Sequence, residues 1–288
     1  MKIILGASGQ VGSAIVEYLR MQNAQIKAVI RNREKANVLS NKGIQVEIAD
    51  LFNLSALKDS LKDGDIIFVL TPEVIHSNDI ITDTMRILNN LEIAIESSKI
   101  RRIVGLSSMG AQYSSGTGNL QMSYMLEHSF NNLEAHKIFI RPAYYFSNWL
   151  SYIPLVKEYG VLPTFFPIDL KIPMISPLDV AKFVGDILIK DFNESKIFEI
   201  QGPEVYSTKD VANELEEILN KKIEIQQIEK GKWEETIKQI GFSNDATKNL
   251  IKMIEAVING KAVAENKNTS LITLETSLSE YFNANITK

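Results

Sequence analysis

The stretch Met1-Lys-Ile-Ile-Leu-Gly-Ala-Ser-Gly-Gln-Val-Gly12 decides the fold of this chain, because it is typical of a buried strand, a tight turn and a helix start. Its glycines at positions 6, 9 and 12 have GxxGxxG spacing. We expect Gly6 to permit the turn, Gly9 to let a pyrophosphate approach the backbone, and Gly12 to let the helix pack close to the strand. Free N–H groups in the first helical turn then face the phosphates, where the helix dipole favours negative charge.

The overall composition is that of an ordinary globular protein. The 288 residues are 45% hydrophobic and 23% charged, and the net charge of -4 gives no general electrostatic reason to bind nucleic acid or an anionic membrane. The lack of cysteine excludes disulfides and thiolate chemistry, and three scattered histidines make no convincing zinc site, so we expect no metal. No apolar run can cross a bilayer, and a strand that begins at residue 2 leaves no room for a signal peptide, so we expect a cytoplasmic protein. A monomer and a homodimer both remain open.

Strands and helices alternate along the first half of the chain. The apolar periodicity predicts strands at residues 2–5, 25–30, 44–48, 65–70, 102–106 and 137–140, and helices at 10–21, 35–42, 53–62, 78–98 and 120–135. Alternation at this pace means parallel pairing with right-handed crossovers. We therefore predict an α/β fold with a Rossmann-type doubly wound parallel sheet.

The alternation loosens after Pro142, where we predict a smaller C-terminal α/β lobe. Its predicted segments are strands at 172–176, 197–200 and 223–228, and helices at 178–190, 209–220, 231–240, 246–259 and 274–282. The chain is accordingly divided into a dinucleotide-binding Rossmann domain at residues 1–150 and a substrate-cleft lobe at residues 151–288. Residues 178–201 are expected to return to the Rossmann sheet.

Ligands of an open parallel sheet bind beyond the carboxyl ends of its strands, near the reversal of strand order. After the first strand, Ser8 and Gln10 offer polar atoms to the phosphates. After the second strand, Arg31 and Arg33 stand where an acidic residue would bind the ribose hydroxyl of NAD(H). A guanidinium there binds a phosphate through charge-assisted hydrogen bonds, which favours NADP(H) over NAD(H) as the cofactor. Alternatively, both arginines are simply solvated in a loop.

The third and fourth strands are followed by residues suited to the adenine and the ribose. Asp50 and Leu51 can bond the adenine amino group and pack its ring, although Asp50 can equally cap the next helix. Leu70 and Thr71 offer an apolar and hydroxyl edge to the ribose, while Pro72 can simply end the strand. The complete predicted cofactor-binding set is Gly6, Ala7, Ser8, Gly9, Gln10, Val11, Gly12, Arg31, Asn32, Arg33, Asp50, Leu51, Leu70, Thr71, Pro72, Ser107, Pro142 and Tyr144.

Further short motifs follow the glycine turn in order along the chain. They are Val29-Ile-Arg-Asn-Arg33, Lys42-Gly-Ile44, Ala49-Asp-Leu51, Val69-Leu-Thr-Pro72, Leu106-Ser-Ser-Met-Gly-Ala111, Ile140-Arg-Pro142 and Ile175-Ser-Pro-Leu-Asp-Val180. With these motifs the sequence resembles the NmrA-like branch of the atypical short-chain dehydrogenases/reductases, including bacterial NAD(P)H:quinone oxidoreductase-like members. The resemblance extends over nearly the whole chain.

The resemblance implies candidate catalytic residues, but the sequence lacks one member of the usual catalytic triad. Typical short-chain dehydrogenases use a serine, a tyrosine, and a lysine one helical turn after the tyrosine. Ser108 matches the serine, and Tyr124 and His128 have i, i+4 geometry on one helix, but the lysine is absent. Many NmrA-like members carry a glutamate on this helix instead, which Glu127 resembles. Ser108, Tyr124 and His128 are therefore the candidates, and the alternative is that Tyr124 and His128 are only an aromatic residue and a surface imidazole.

Hydride transfer to a flat acceptor does not require that triad, because the protein's task is to stack and orient two rings at short range. The segment after the sixth strand is rich in aromatic residues, and we expect Tyr145, Phe146 and Trp149 to line the substrate pocket. Phe165 and Phe166 are further candidates. The competing interpretation is that these rings seal the junction between the sheet and the lobe.

Taken together, the residues and the resemblance predict an NAD(P)H-dependent oxidoreductase that transfers a hydride to a small planar quinone or carbonyl compound. Because the tyrosine and lysine pair is missing, a second functional class remains open. In that alternative the protein is a non-catalytic redox sensor, which binds NADP(H) and regulates a partner without turnover.

Overall fold

Strands and helices alternate through the first 142 residues of the computed structural model, which describes residues 1–72, 74–267 and 269–286. The strands of this part are β1 (Lys2–Leu5), β2 (Ile26–Ile30), β3 (Gln45–Ile48), β4 (Ile66–Leu70), β5 (Arg102–Leu106) and β6 (His136–Pro142). The helices are α1 (Gln10–Met21), α2 (Ala36–Ser40), α3 (Leu54–Ser60), α4 (Ile80–Glu96) and α5 (Leu120–His128), with a 3-10 turn at Arg33–Lys35.

The second half of the chain mixes short strands with helices. Its strands are β7 (Tyr144–Tyr145), β8 (Val161–Thr164), β9 (Ile172–Ile175), β10 (Lys196–Gln201), β11 (Val205–Tyr206), β12 (Glu224–Gln227) and β13 (Ser270–Thr273). Its helices are α6 (Ile153–Tyr159), α7 (Pro177–Ile189), α8 (Thr208–Leu219), α9 (Trp233–Gln239), α10 (Asn244–Ile258) and α11 (Leu278–Ile286). Two 3-10 segments, Phe146–Tyr152 and Lys230–Lys232, complete this part.

The centre of the molecule is an eight-stranded sheet with the order β3-β2-β1-β4-β5-β6-β10-β13, in which neighbouring strands pair in parallel. The prediction of a doubly wound parallel sheet of the Rossmann type is therefore confirmed. The strand order reverses between β1 and β4, so the carboxyl ends of these two strands border the crevice where such sheets bind ligands.

Helices cover both faces of the sheet, which explains why its central strands are continuous apolar runs. On one face α1 and α7 pack against Ile4 and Phe68, and on the other face α3 and α4 pack against Ile3 and Ile67. A third core fills the lobe, where Trp233 is buried. Within the described residues, no helix is both long enough and apolar enough to cross a membrane.

The structure corrects one predicted helix and adds one strand to the main sheet. The helix predicted at 120–135 ends at His128, although Phe130 and Leu133 remain buried in the core, so burial rather than helix formation explains their apolar spacing. Strand β13 adds an eighth strand that the sequence did not predict, because its residues are only partly buried and show no apolar run.

Residues 178–201 supply most of α7 and all of β10, and both elements belong to the sheet and its helical layer. α7 packs closely on α1, where the Tyr18 hydroxyl donates a hydrogen bond to the Asp186 carboxylate. This bond and burial raise the pKa of Tyr18 to about 12. The domain division at residue 150 stays a prediction, and residues 287–288 of the predicted lobe lie outside the described residues.

Replacing Gly12 by alanine should destabilise the fold, because the new Cβ would lie 2.2 Å from the Gly6 carbonyl oxygen. Relieving a backbone clash of this kind typically costs about 1–3 kcal/mol of unfolding free energy. Gly231→Ala is the matched control, because that Cβ would meet nothing within 4 Å. Urea denaturation of both variants measures the difference. Equal stabilities would show that the helix does not depend on this close approach.

Candidate dinucleotide and substrate site

The glycine turn between β1 and α1 exposes backbone at the carboxyl edge of the sheet. Gly6 has a φ of +63°, and the Gly9 N–H donates to the Gly6 carbonyl over 2.9 Å. α1 starts with Gly9 as its N-cap, no side chain caps it, and its first turn carries no acidic residue. The free N–H groups of this turn are therefore available to an anion, and the helix dipole favours negative charge there.

The three predicted residues after β2 are all exposed, but their side chains differ in what they do. The Asn32 side chain accepts the Glu34 N–H over 2.8 Å and so caps the short 3-10 turn. The ion pairs in the described part of the chain involve other arginines and leave Arg31 and Arg33 without a carboxylate partner. Two unpaired guanidinium groups thus stand at the edge of the sheet next to the glycine turn.

The residues after β3 form a tight turn. Asp50 is exposed, and its Oδ1 accepts the Phe52 N–H over 2.9 Å. The cap of α3 is Asn53, which accepts the Ala56 N–H over 3.1 Å. Asp50 therefore does not take the alternative role of helix cap and closes an Asx-type turn instead. Leu51 is partly buried beside it.

The carboxyl ends of β4, β5 and β6 surround a largely apolar cavity of about 290 Å³, called the cavity below. Seven predicted site residues lie in its wall, namely Leu70, Thr71, Ser107, Ser108, Pro142, Tyr144 and Tyr145. Leu70, Thr71, Ser107, Ser108 and Pro142 lie at or just after the ends of β4, β5 and β6, which are neighbours in the sheet, and Tyr144 and Tyr145 form the short strand β7 that follows β6. The structure thus brings these residues together as the strand order requires.

The opposite wall of the cavity was missed by the sequence analysis. Met253 and Val257 of α10 and Ala262 of the following loop line it, together with Leu120 and Ser123 of α5. The apolar spacing of α10 indicates that one face is buried, but it carries no information about which surface that face meets. The expected candidate Phe166 also lines the cavity.

The two tyrosines of the cavity wall are held neutral. Burial raises the pKa of the Tyr144 and Tyr145 phenols well above the usual value. Both hydroxyls are protonated at neutral pH, as those of ordinary tyrosines are, and can donate hydrogen bonds to a bound molecule.

The three candidate catalytic residues do not come together. Ser108 lines the cavity, whereas Tyr124 and His128 lie on a separate groove along the outer side of α5. Their rings stack with centroids 4.0 Å apart, and His128 Nδ1 lies 2.7 Å from the Tyr124 carbonyl oxygen. The imidazole therefore contacts the face of the phenol ring and its own helix backbone. This geometry matches the alternative interpretation of an aromatic pair with a surface imidazole.

The three predicted substrate-pocket residues also separate. Tyr145 lines the cavity, whereas Phe146 is completely buried in the lobe, with ring centroids of Tyr206 and Tyr281 each 5.7 Å away. Trp149 is buried too and borders a neighbouring space rather than the cavity. A 3-10 helix starts at Phe146, and residues three apart share one face of such a helix. That shared face points both rings away from the cavity.

A charged cluster, formed by the buried side chains of Glu127, Arg141 and Glu199 and the partly exposed Glu265, lies directly behind the cavity wall. The Arg141 guanidinium donates twice to the Glu127 carboxylate, over 2.8 and 2.7 Å, and once to Glu265 over 2.7 Å. Burial opposes the charge on Arg141, but the hydrogen bonds with Glu127 and Glu265 raise its pKa above the ordinary value. Ser107 joins the cluster to the cavity, because its hydroxyl donates to Glu127 over 2.5 Å.

The sequence profile of the NmrA-like family matches residues 2–282. The chain belongs to the NmrA-like family. One relative of this NmrA-like protein is an NAD(P)H azoreductase from Xenophilus azovorans, which is 24% identical over 74% of this chain and 71% of the azoreductase. Another relative is quinone oxidoreductase 2 from Escherichia coli, which is 23% identical over 99% of this chain and 100% of that protein.

Solved structures share the fold of this NmrA-like protein. An NADPH-dependent quinone oxidoreductase from Escherichia coli, in complex with NADPH, has a TM-score of 0.83 at 21% identity and covers all of both chains. The triphenylmethane reductase from Citrobacter sp., in complex with NADP(H), has a TM-score of 0.83 at 18% identity over 98% of this chain and 99% of that one. At these identities the likeness shows the fold.

Replacing Arg141 by methionine should destabilise this NmrA-like protein strongly, because three carboxylates of the cluster would lose their cation. Removing one partner from a buried ion pair typically costs about 3–5 kcal/mol. Arg101→Met is the matched control, because Arg101 is exposed and its contact with Asp65 spans 3.5 Å; we expect a cost below about 1 kcal/mol. Urea denaturation compares the two. A loss no greater than that of the control would contradict the structural role of the cluster.

Proposed function

We propose that this chain is an NAD(P)H-dependent oxidoreductase that prefers NADP(H) and reduces a small planar quinone or carbonyl compound. The observation that carries the proposal is the adjacency of two features at one sheet edge. The uncapped first turn of α1 offers free N–H groups to a pyrophosphate, and the apolar cavity opens beyond the neighbouring strands. Two of the chain's relatives, an NAD(P)H azoreductase and a quinone oxidoreductase, support the same reaction class.

The residues of the glycine turn fit a dinucleotide. A Cβ at Gly9 would meet no atom within 4 Å except the Gly6 carbonyl oxygen, so a phosphate group can approach this backbone from solvent. We assign the pyrophosphate to the turn at residues 6–12, the adenosine to Asp50 and Leu51, and its extra phosphate to Arg31 and Arg33. We assign the nicotinamide half to the cavity wall at Leu70, Thr71, Ser107, Pro142 and Tyr144, with Pro72 following directly after Thr71.

When bound, NADPH supplies the hydride. The chain itself then has three tasks, which are to hold the two rings face to face, to exclude water, and to donate hydrogen bonds to the acceptor oxygen. The apolar cavity wall serves the first two tasks. The neutral hydroxyls of Tyr144 and Tyr145 are the donors we assign to the third task, because the Ser108 hydroxyl already donates to the Met109 carbonyl oxygen over 3.0 Å.

A non-catalytic redox sensor is the second candidate function. The separation of Tyr124 and His128 from the cavity favours it, because no tyrosine and base pair within the described residues then faces the cofactor wall. The apolar cavity beside the glycine turn, with two tyrosine hydroxyls in its wall, favours the oxidoreductase. Turnover distinguishes the two.

The first test of the proposed function is NADPH oxidation, followed at its absorbance band, with a panel of quinones and aldehydes. We expect turnover with planar quinones, because the cavity can stack a flat ring. Equilibrium binding of NADPH, measured by calorimetry on the same preparation, provides the control. Tight binding without turnover across the panel would support the sensor, and no binding of either dinucleotide would overturn both functions.

Replacing Arg31 by alanine tests the cofactor preference. Loss of a charge-assisted hydrogen bond of about 1.5–3 kcal/mol predicts that NADPH binds roughly tenfold to a hundredfold more weakly, while NADH binds nearly as before. Arg101→Ala, on the amino-terminal side of the sheet, is the matched control and should change neither affinity. Calorimetric titrations with both cofactors measure the effect. An equal loss for NADPH and NADH, or no loss for either, would overturn the assignment.

A further inference from the structure

A second compartment of about 520 Å³ adjoins the cavity. The two spaces share Tyr144, Asn148, Phe166 and Met253 as common wall residues. The second compartment is therefore next to the cavity, and these four side chains form the boundary between the two spaces. The second compartment lies between the 3-10 segment at residues 146–152 and α10 of the lobe, and Gln10 at the start of α1 borders it as well.

The wall of the second compartment is aromatic and uncharged. Its rings include Trp149 and Tyr152, with centroids 6.3 Å apart, and Phe165 and Phe242. Among the described residues that line it, polar groups are hydroxyls and amides, and none is an arginine, lysine, histidine, aspartate or glutamate. A charged group would enter such a space without a counter-ion, which is costly, whereas a neutral polar aromatic group would not.

One hydrogen-bond donor in this wall is unused. The Trp149 indole Nε1–H is buried and has no acceptor within the described part of the chain. The second tryptophan, Trp233, is buried as well, but its Nε1–H donates to the Ile228 carbonyl over 2.9 Å. Buried donors in folded proteins nearly always have a hydrogen-bond partner. We therefore infer that a bound ligand supplies the acceptor for the Trp149 indole N–H.

We propose that the second compartment is a substrate subsite that binds a neutral aromatic substituent carrying a hydrogen-bond acceptor, with the acceptor bonded to Trp149 Nε1–H. The substrate is then a two-part molecule, whose electron-accepting ring occupies the cavity and whose substituent occupies the second compartment. This substrate class rests on the proposed function for the reacting ring. The subsite itself rests only on the aromatic wall, the absence of charge among its described residues, and the unused indole donor.

The kinetic test uses phenyl-para-benzoquinone and its para-carbamoylphenyl analogue, which differ only in a neutral acceptor. In the wild-type protein we expect a lower KM for the carbamoyl compound. Trp149→Phe should raise the ratio of the carbamoyl KM to the phenyl KM by about fivefold to tenfold, the effect of one lost neutral hydrogen bond. Trp233→Phe is the matched control and should keep the wild-type ratio. An unchanged ratio in Trp149→Phe, or the same change in the control, would overturn the proposal.

A binding test is independent of turnover. The chain contains two tryptophans, so Trp149 is the only indole fluorophore in Trp233→Phe. Titration of this variant with para-phenylbenzamide should change the Trp149 emission at concentrations about fivefold lower than titration with biphenyl, which lacks the acceptor. Identical titrations, or no change of emission, would overturn the subsite. A fluorescence response without reduction of any quinone would reject the proposed function and retain the subsite. Quinone reduction without the fluorescence response and without the change in the KM ratio would retain the proposed function and reject the subsite.

Discussion

The close approach of two backbone segments is the constraint on which the rest of the structure depends. α1 can pack on β1 because Gly12 places no side chain against the Gly6 carbonyl. This contact sets the start of the helix at the carboxyl edge of the sheet, next to the reversal of strand order between β1 and β4. The free N–H groups and the crevice therefore coincide, and the helix dipole favours negative charge there without any charged side chain.

Charge is concentrated behind the cavity rather than inside it. Arg141 neutralises part of a group of three carboxylates, and Glu199 accepts further hydrogen bonds from the backbone of Glu265 and the hydroxyl of Thr269. The cluster thereby connects α5, β6 and β10 to the loop before β13. Because that loop contributes Ala262 to the cavity wall, the same cluster that stabilises the sheet also holds part of the candidate site.

The aromatic segment after β6 divides its rings among three environments. Tyr144 and Tyr145 pair as a short strand with β9 and face the cavity, Phe146 packs in the lobe core, and Trp149 borders the second compartment. Some rings of this segment therefore line the cavity, and others pack between the sheet and the lobe. Phe146 and Trp149 are three residues apart in the 3-10 helix that begins at Phe146, so they share a face of that helix and separate from the two tyrosines before it.

The sequence alone determined the nucleotide-binding half of the architecture, because a glycine spacing, apolar strand periods and the residues after each strand are local features. Topology then brings the ends of β4, β5 and β6 together whatever the lobe does. Only the tertiary structure decided that Tyr124 and His128 lie away from Ser108, that β13 completes the sheet, and that α10 forms the far wall of the cavity. These outcomes depend on which buried faces meet across long stretches of chain, and an apolar pattern specifies that a face is buried but not the surface that buries it.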